Sequence, residues 1–289
     1  MKRILVTGGS GMLGTALVRE LTGRAVLFPV GPLHFDLRDA AAVGDAIRRL
    51  RPDVIVHTAA FTDVDRAESA VEEATAVNDR GTAHVAVAAA AVGAFLVYLS
   101  TDYVFDGLKG APYVEDDPVA PLNVYGRTKR AGEDHARGVP GHLIVRSQGL
   151  FGRRGRSFVG AILGAADAGR AISVVDDVVT GVTYADDLAH GIRLLLDEDA
   201  TGTYHVADVG PVRWSEFARA VLDGAGLPSV PVAKITASET GRPAARPKYS
   251  YLDTSRYAAT VGAAPPAWRD ALRRFFRDLA ADGSTRPAP

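Results

Sequence analysis

The sequence contains no cysteine, which excludes disulfide bonds, thiolate catalysis and zinc sites built on cysteine. It also lacks an excess of either charge, because 33 lysines and arginines nearly balance 34 aspartates and glutamates. This balance gives no electrostatic reason to expect nucleic acid or an anionic membrane as a partner. No apolar run is long enough for a signal peptide or a membrane-spanning helix, so we expect a cytoplasmic protein.

Strand and helix patterns alternate over the first half of the chain. The predicted strands are 3–7, 25–30, 53–57, 94–99 and 142–146, and the predicted helices are 15–21, 40–50, 74–92 and one that starts at Pro121. Strands separated by helices pair in parallel through right-handed crossovers, which predicts an α/β fold with a doubly wound parallel sheet. We expect one domain over 1–150 with a returning segment at about 178–205, and a smaller, interleaved domain over 151–289 with a disordered end at 281–289.

A glycine-rich turn joins the first strand to the first helix. Its residues are Gly8, Gly11, Met12, Leu13 and Gly14. Glycine permits a tight turn and a close backbone approach, and the helix N-terminus then presents free N–H groups to a pyrophosphate. Because a strand precedes the turn and a helix follows it, the pattern predicts a dinucleotide site. The alternative is a glycine turn in an α/β protein that binds no nucleotide.

The end of the second strand does not identify the dinucleotide. An acidic residue there reads the 2′-hydroxyl of NAD and an arginine accommodates the 2′-phosphate of NADP, but the chain has Pro29, Val30 and Gly31. The cofactor is therefore NAD(H) or NADP(H), with the preference open. Asp36 and Leu37 follow in a short segment that could lie beside the adenine, although Asp36 or Asp39 could instead cap the helix over 40–50.

The third strand leads into a loop of small residues, which suits a segment that passes over a cofactor at the carboxyl edge of the sheet. The residues of this loop are Ala59, Ala60, Phe61 and Thr62. Three carboxylates follow at Asp63, Asp65 and Glu68, and they indicate either a metal site or a polar helix start favoured by the helix dipole. The spacing of the histidines favours structural roles over metal ligation, so we expect no metal.

The fourth strand ends in polar residues, and the next helix carries a tyrosine and a lysine on one face. The strand ends at Ser100, Thr101 and Asp102, while Tyr125 and Lys129 lie four residues apart. Such a group suits hydride transfer to a carbonyl, because the charge that appears on oxygen must be protonated. The alternative is an exposed helix pair.

Each of the three side chains has a distinct role in this hypothesis. Tyr125 supplies the proton, but a free phenol with a pKa of about 10 matches neutral pH poorly. We expect the Lys129 ammonium to stabilise the phenolate and lower that pKa, and it could also bind the ribose of the cofactor. Thr101 would donate to the developing oxyanion.

A basic loop rich in proline lies at 241–248. It contains Arg246 and suits phosphate recognition, because a guanidinium on a stiff backbone binds phosphate oxygens well. A simple solvated loop is the alternative.

At this point the chain resembles the extended short-chain dehydrogenase/reductases, and within them the dTDP-4-dehydrorhamnose reductases. The resemblance spans nearly the whole length and is carried by VTGGSGMLG, RPDVIVHTAAFTDVDRAES, YLSTDYVFDG, PLNVYGRTKRAGE, YADDLA, GTYHVAD and the Arg246-Pro247 pair. It implies a Rossmann domain with a smaller C-terminal substrate domain. It also implies NAD(P)H-dependent reduction of the 4-keto group of a nucleotide-activated deoxysugar, dTDP-4-dehydro-L-rhamnose or a related intermediate.

The resemblance also implies roles for individual residues. Thr101, Tyr125 and Lys129 are catalytic, residues 11–13, 36–37 and 60–62 contact the cofactor, and Thr101 and Asp102 contact the sugar. The partners would be a dTDP-4-keto-sugar and, in a homodimer, a second copy of the chain. The chain departs from the family pattern at Gly149, where a tryptophan is usual, over 177–183, and at Ala16, where some members carry a glutamate used in a metal-linked dimer.

Two other functions remain open from the sequence. A sugar-nucleotide epimerase or dehydratase would use the same scaffold and recycle a tightly held cofactor. A non-catalytic relative would bind the dinucleotide and regulate a partner enzyme.

Overall fold

The computed structural model describes residues 1–287 and consists of twelve strands and eleven α-helices over that range. The strands are β1 (Arg3–Thr7), β2 (Val26–Val30), β3 (Val54–His57), β4 (Phe95–Thr101), β5 (His142–Ser147), β6 (Leu150–Phe151), β7 (Ile172–Val175), β8 (Val179–Thr180), β9 (Thr183–Tyr184), β10 (Gly202–His205), β11 (Val212–Arg213) and β12 (Val232–Ile235). The helices are α1 (Met12–Leu21), α2 (Ala40–Leu50), α3 (Val64–Ser69), α4 (Val71–Thr75), α5 (Gly81–Val92), α6 (Val124–Arg137), α7 (Phe158–Asp167), α8 (Ala185–Asp197), α9 (Trp214–Gly224), α10 (Ser255–Val261) and α11 (Trp268–Ala281).

Six strands form one parallel sheet in the order β10-β5-β4-β3-β1-β2. Alternate strand residues feed two different cores, since successive side chains point to opposite faces. Ile4 and Val6 pack with α1 and α8 on one face, whereas Leu5 packs with α2 and α5 on the other. The predicted doubly wound parallel sheet is therefore confirmed.

A further apolar core lies among the residues that follow β5. It is built mainly by α7, α9 and α11 and includes the rings of Phe151, Phe217 and Phe275. Three two-stranded sheets surround it, pairing β6 with β9, β7 with β12 and β8 with β11. These short pairs hold the C-terminal segments beside the carboxyl edge of the large sheet.

Two helix boundaries differ from the sequence-based expectation. The chain enters α6 at Val124 and not at Pro121, because the Asn123 side chain caps the helix by accepting a hydrogen bond from the Gly126 N–H at 2.7 Å. The expected long alanine-rich helix contains a π-helical turn over Ala76–Arg80 between α4 and α5.

The C-terminal end is ordered as far as it is described. The Arg286 guanidinium pairs with the Asp167 carboxylate through two contacts of 2.6 Å, which differs from the expected disorder. Residues 288–289 lie outside the described range. Within residues 1–287, the helices are too short or too polar to cross a bilayer.

Candidate active site

The predicted site residues gather at the carboxyl edge of the large sheet. There β1 ends at Thr7, β3 at His57 and β4 at Thr101. The strand order reverses at β1, since the chain goes from β1 to β2 on one side and to β3 on the other. In open α/β sheets a crevice opens at such a switch point and binds ligands.

The glycine turn fits the pyrophosphate of a dinucleotide. Gly8 has a φ of 69°, and a Cβ there would lie 2.8 Å from Thr58 Oγ1, so only glycine is accommodated. A Cβ on Gly14 would overlap the Gly8 carbonyl oxygen. Gly11 stands directly before α1 and has no side chain to cap it, so the N–H groups of the first turn remain available to an anion.

The loop after β3 is held by a residue that the sequence reasoning missed. The buried Asn78 accepts a hydrogen bond from the Phe61 N–H at 2.7 Å and donates to the Phe61 carbonyl at 3.0 Å. It also donates to Thr128 Oγ1 on α6 at 3.0 Å. One side chain therefore fixes residues 59–62 against the helix of Tyr125 and Lys129. The signal in the sequence that could have identified this residue is a single asparagine within the alanine-rich stretch 74–92.

Asp36 and Leu37 lie at the same edge beyond β2. The Asp36 carboxylate accepts hydrogen bonds from Nε of Arg38 at 2.8 and 2.9 Å, which lower its pKa. The Leu37 carbonyl contacts His84 Nδ1 at 2.8 Å, so the segment is tied to α5. Asp39, not Asp36, caps α2 through the Ala42 N–H. Contact of Asp36 and Leu37 with a cofactor stays a prediction.

The start of α6 is pinned from both sides. Glu68 Oε1 of α3 accepts a hydrogen bond from the Val124 N–H at 2.7 Å, while Asn123 Nδ2 donates to the Ala245 carbonyl of the C-terminal loop at 2.7 Å. A Cβ on Gly126 would overlap the Tyr103 carbonyl oxygen, so the helix lies directly against the turn after β4. This contact brings Tyr125 towards Thr101.

The three predicted catalytic residues are brought together beside this helix. Thr101 and Lys129 are 7% and 3% exposed, and Tyr125 is half-buried with its ring edge-on to Tyr103 at a centroid distance of 6.0 Å. The Lys129 Nζ lies over the face of Tyr98, 4.2 Å from the ring centroid. The alternative of an exposed helix pair is wrong, because both side chains point into the protein.

The protonation states differ from the expectation. Burial raises the pKa of Tyr125 well above its usual value, the nearby Asp102 charge adds to this, and the neighbouring Thr101 hydroxyl opposes it. Burial lowers the pKa of Lys129 to about 7, with Glu133 opposing. Burial is the largest cause of the Tyr125 shift, and the Lys129 ammonium faces the Tyr98 ring. The expectation of a lowered phenol pKa is therefore wrong for this structure.

A buried ion pair below Lys129 anchors the helix. Glu133 accepts hydrogen bonds from Ser100 Oγ at 2.6 Å and from Nε and a terminal nitrogen of Arg146 at 2.8 Å each. Burial alone would raise the pKa of Glu133, but the Arg146 hydrogen bond and charge lower it to about 2. Glu133 therefore fastens α6 to β4 and β5, the strands that end at the site.

Asp102 faces inward. Its side chain is 3% exposed, and its oxygens accept hydrogen bonds from Ser250 Oγ at 2.6 Å and Thr101 Oγ1 at 3.1 Å. Burial raises its pKa to about 6, opposed by these hydrogen bonds. Ser250, which the sequence reasoning missed, comes from the C-terminal segment and only the fold brings it here. Contact of Asp102 with a sugar stays a prediction.

Arg246 lies at the edge of the site, where an ion pair holds its guanidinium. Its guanidinium forks onto the Asp65 carboxylate with contacts of 3.0 and 2.8 Å, so the C-terminal loop is tied to α3. Asp63 caps α3 through the Arg66 N–H at 3.1 Å, which confirms the polar helix start. Within residues 1–287, the carboxylates and histidines form no group that could hold a metal ion.

Comparison with known proteins gives consistent matches along the chain. A family model described as RmlD substrate binding domain matches residues 1–281. A dTDP-4-dehydrorhamnose reductase of Streptomyces griseus is 41% identical over 295 residues, which cover 99% of this chain and 97% of that protein. A probable dTDP-4,6-dihydroxy-2-methyloxan-3-one 4-ketoreductase of Streptomyces antibioticus is 37% identical over 283 residues, 96% of each chain.

A solved structure gives the same result in three dimensions. The dTDP-4-dehydrorhamnose reductase of Bacillus anthracis, crystallised in complex with NADP, superposes with a TM-score of 0.92 at 36% identity. The match covers 96% of this chain and 99% of that one.

Proposed function

We propose that this chain, which belongs to the dTDP-4-dehydrorhamnose reductase family, is an NAD(P)H-dependent reductase of a 4-keto sugar nucleotide. The substrate is a dTDP-4-keto-deoxysugar, with dTDP-4-dehydro-L-rhamnose the first candidate. The observation that carries the proposal is the meeting of Thr101, Tyr125 and Lys129 at the edge of the sheet that also holds the glycine turn.

The residues present fit the cofactor, and they can transfer a proton to the carbonyl oxygen of the sugar. When bound, the dinucleotide supplies a hydride to the carbonyl carbon of the sugar. Tyr125 holds its proton at neutral pH, as an ordinary phenol does, and its raised pKa makes it a weaker acid, so transfer of the proton to the carbonyl oxygen needs stabilisation of the phenolate. Below a pH of about 7 Lys129 carries a charge that compensates the phenolate left behind.

Thr101 is the second donor to the carbonyl oxygen. Its hydroxyl hydrogen points to Asp102 across 3.1 Å, longer than the usual 2.7–2.8 Å for a bond between two oxygens. Such a weak bond is readily exchanged for one to the substrate. Two donors aimed at one oxygen would stabilise the charge that develops there.

The decisive experiment is a turnover assay with purified protein. NADPH or NADH oxidation is followed by absorbance with dTDP-4-dehydro-L-rhamnose and with related dTDP-4-keto-deoxysugars. We expect net, stoichiometric oxidation of one reduced cofactor with at least one of them. Absence of oxidation with every sugar and both cofactors would refute the proposal.

The same assay separates the rival functions. An epimerase or dehydratase would convert the sugar without net consumption of cofactor and would retain NAD(H) through purification. A regulatory subunit would bind the dinucleotide, show no conversion, and co-purify with a stoichiometric partner enzyme. The buried Lys129 favours the reductase, because a regulator has no need to desolvate an amine.

The remaining parts of the proposal concern organisation. We propose a dinucleotide domain over residues 1–150 with the returning segment 178–205, and a smaller substrate domain from the rest of the chain.

The proposed small-molecule partner of the protein is a nucleotide sugar, and its proposed oligomeric state is a homodimer. Light scattering coupled to gel filtration would measure the mass, and a monomeric mass of 30.4 kDa would refute the dimer. A cytoplasmic location stays a prediction.

A further inference from the structure

Ser250 reaches the catalytic strand end from a distant part of the chain. The segment around it runs beside β8, where the Val179 N–H donates to the Lys248 carbonyl at 2.9 Å and the Ser250 N–H donates to the Val179 carbonyl at 3.0 Å. This backbone pairing fixes the height of Ser250 along the strand. Its hydroxyl lies against Asp102 and Thr180.

A buried line of polar groups joins Ser250 to Thr101. Ser250, Asp102 and Thr180 are between 2% and 3% exposed, and Thr101 is 7% exposed. The Ser250 hydroxyl lies 2.6 Å from Asp102 Oδ2 and 3.2 Å from Thr180 Oγ1. A hydroxyl that donates to a carboxylate at 2.6 Å makes a strong hydrogen bond, whereas the 3.1 Å bond from Thr101 to Asp102 Oδ1 is weak.

The Ser250 and Thr101 hydroxyls both donate hydrogen bonds to the Asp102 carboxylate. The Thr101 hydroxyl carries a single hydrogen. In the proposed reaction that hydrogen is needed at the carbonyl oxygen of the sugar. The Tyr103 N–H donates to Thr101 Oγ1 at 3.2 Å, so the oxygen stays in place while the hydrogen turns. The carboxylate must then keep other donors, since a buried charge without hydrogen bonds is costly.

We propose that Ser250 is a positioning residue that acts through Asp102 and makes the Thr101 hydrogen available to the substrate. By satisfying the Asp102 carboxylate, Ser250 allows Thr101 to exchange its weak bond for a bond to the carbonyl oxygen. The inference rests on the proposed function for its kinetic part, while the Ser250–Asp102 bond itself can be tested without substrate.

The protonation of Asp102 offers a readout that a merely structural role would not change. Tyr125 of α6 and Tyr103 of the turn after β4 face this carboxylate, and Arg246 of the C-terminal loop faces Tyr103. Burial raises the Asp102 pKa to about 6 and the Ser250 bond opposes this, so removal of the hydroxyl raises the pKa further. A protonated Asp102 donates instead of accepting and no longer competes for the Thr101 hydrogen.

The kinetic experiment compares Ser250→Ala with Ser215→Ala. Ser215 is a matched control, because it is also a buried serine that donates to an aspartate, Asp176, on a different face of the protein. We expect Ser250→Ala to lower kcat about tenfold at pH 8, the cost of one charge-assisted hydrogen bond, with a smaller loss at pH 5.5. The sugar KM, the NADPH affinity and the kcat of Ser215→Ala should remain near wild type.

The second experiment titrates the buried carboxyl by infrared difference spectroscopy, with Asp102→Asn used to assign the band. We expect a higher apparent pKa for Asp102 in Ser250→Ala than in wild type or Ser215→Ala. An unchanged pKa, an unchanged kcat, or a loss that is equal at both pH values would each overturn the inference. An inactive wild-type enzyme would refute the proposed function instead, and the titration would still decide the hydrogen bond.

Discussion

At the level of single residues, burial sets the chemistry of the site. The same desolvation keeps Tyr125 protonated and brings the Lys129 pKa down to about 7, because both charged forms lose water on entering the protein. An ordinary phenol already holds its proton at neutral pH, so the raised pKa makes Tyr125 a weaker acid and donation from it depends on stabilisation of the phenolate. Tyr125 is therefore protonated at neutral pH, and the Lys129 ammonium that would stabilise its phenolate in the proposed reaction is present only on the acidic side of neutrality.

Replacement of Tyr125 by phenylalanine tests the proton donor. We expect Tyr125→Phe to lower kcat by about 10²- to 10⁴-fold, the usual contribution of a general acid. NADPH affinity, measured by fluorescence titration, should change little because the ring is retained. Near-wild-type turnover would show that another group donates the proton.

The pH dependence of turnover tests Lys129. Its pKa is lowered to about 7, so the ammonium is present below that pH and lost as the pH rises through it. We expect kcat to fall on the alkaline side with a midpoint near 7, and Lys129→Met to have low activity at every pH. The substitution should also raise the free energy of unfolding at pH 6, because the buried charge is removed. A wild-type profile that stays flat to pH 9 would contradict this assignment.

At the level of elements, α6 is the part that the rest of the site depends on. Its start is held by Glu68 of α3 and by the loop at Ala245. Its C-terminal half is held through its own buried Glu133, which pairs with Arg146 of β5. These ties come from three separate stretches of the chain. A shift at the start of the helix would therefore move Tyr125 relative to Thr101.

The cap of α6 can be tested against the cap of another helix. Asn123→Ala removes the hydrogen bond to the Gly126 N–H and the tie to the Ala245 carbonyl, while Ser157→Ala removes only the cap of α7 at the Gly160 N–H. We expect each to cost about 1 kcal/mol in chemical denaturation. Only Asn123→Ala should also raise the KM of the nucleotide sugar, and an equal effect of both on KM would contradict the proposed coupling.

At the level of the whole molecule, the Arg246–Asp65 pair connects the C-terminal loop to α3 in the first half of the chain. The guanidinium is 19% exposed at its side chain, and the Arg246 hydrogen bond lowers the pKa of the Asp65 carboxyl. The same arginine is the predicted phosphate ligand. It can do both, because a guanidinium has five N–H donors.

Two substitutions separate the structural role of Arg246 from its predicted binding role. We expect Arg246→Leu to raise the KM of the nucleotide sugar by about tenfold or more, the value of one lost charge-assisted contact. Asp65→Asn breaks the same ion pair but leaves the guanidinium, so its KM should stay within about threefold. Equal KM changes in the two variants would assign Arg246 a purely structural role.

Much of the fold follows from local patterns in the sequence. The five predicted strands of the sheet agree with β1 to β5, because each is an apolar run bounded by glycine, proline or polar residues. The start of α6 was misplaced by three residues, since Pro121 suits a first helical turn but Asn123 has the better capping side chain. The π-helical turn at Ala76–Arg80 has no periodic signature that would predict it.

The sequence by itself determined the strands and the glycine turn and singled out Thr101, Tyr125 and Lys129 as candidates, because these depend on short spacings. Only the tertiary structure decided what surrounds them. Ser250 lies 148 residues from Asp102 along the chain, and Asn78 lies 50 from Thr128, so no local pattern could join them. The protonation states were decided there as well, because desolvation depends on every segment that packs around a side chain.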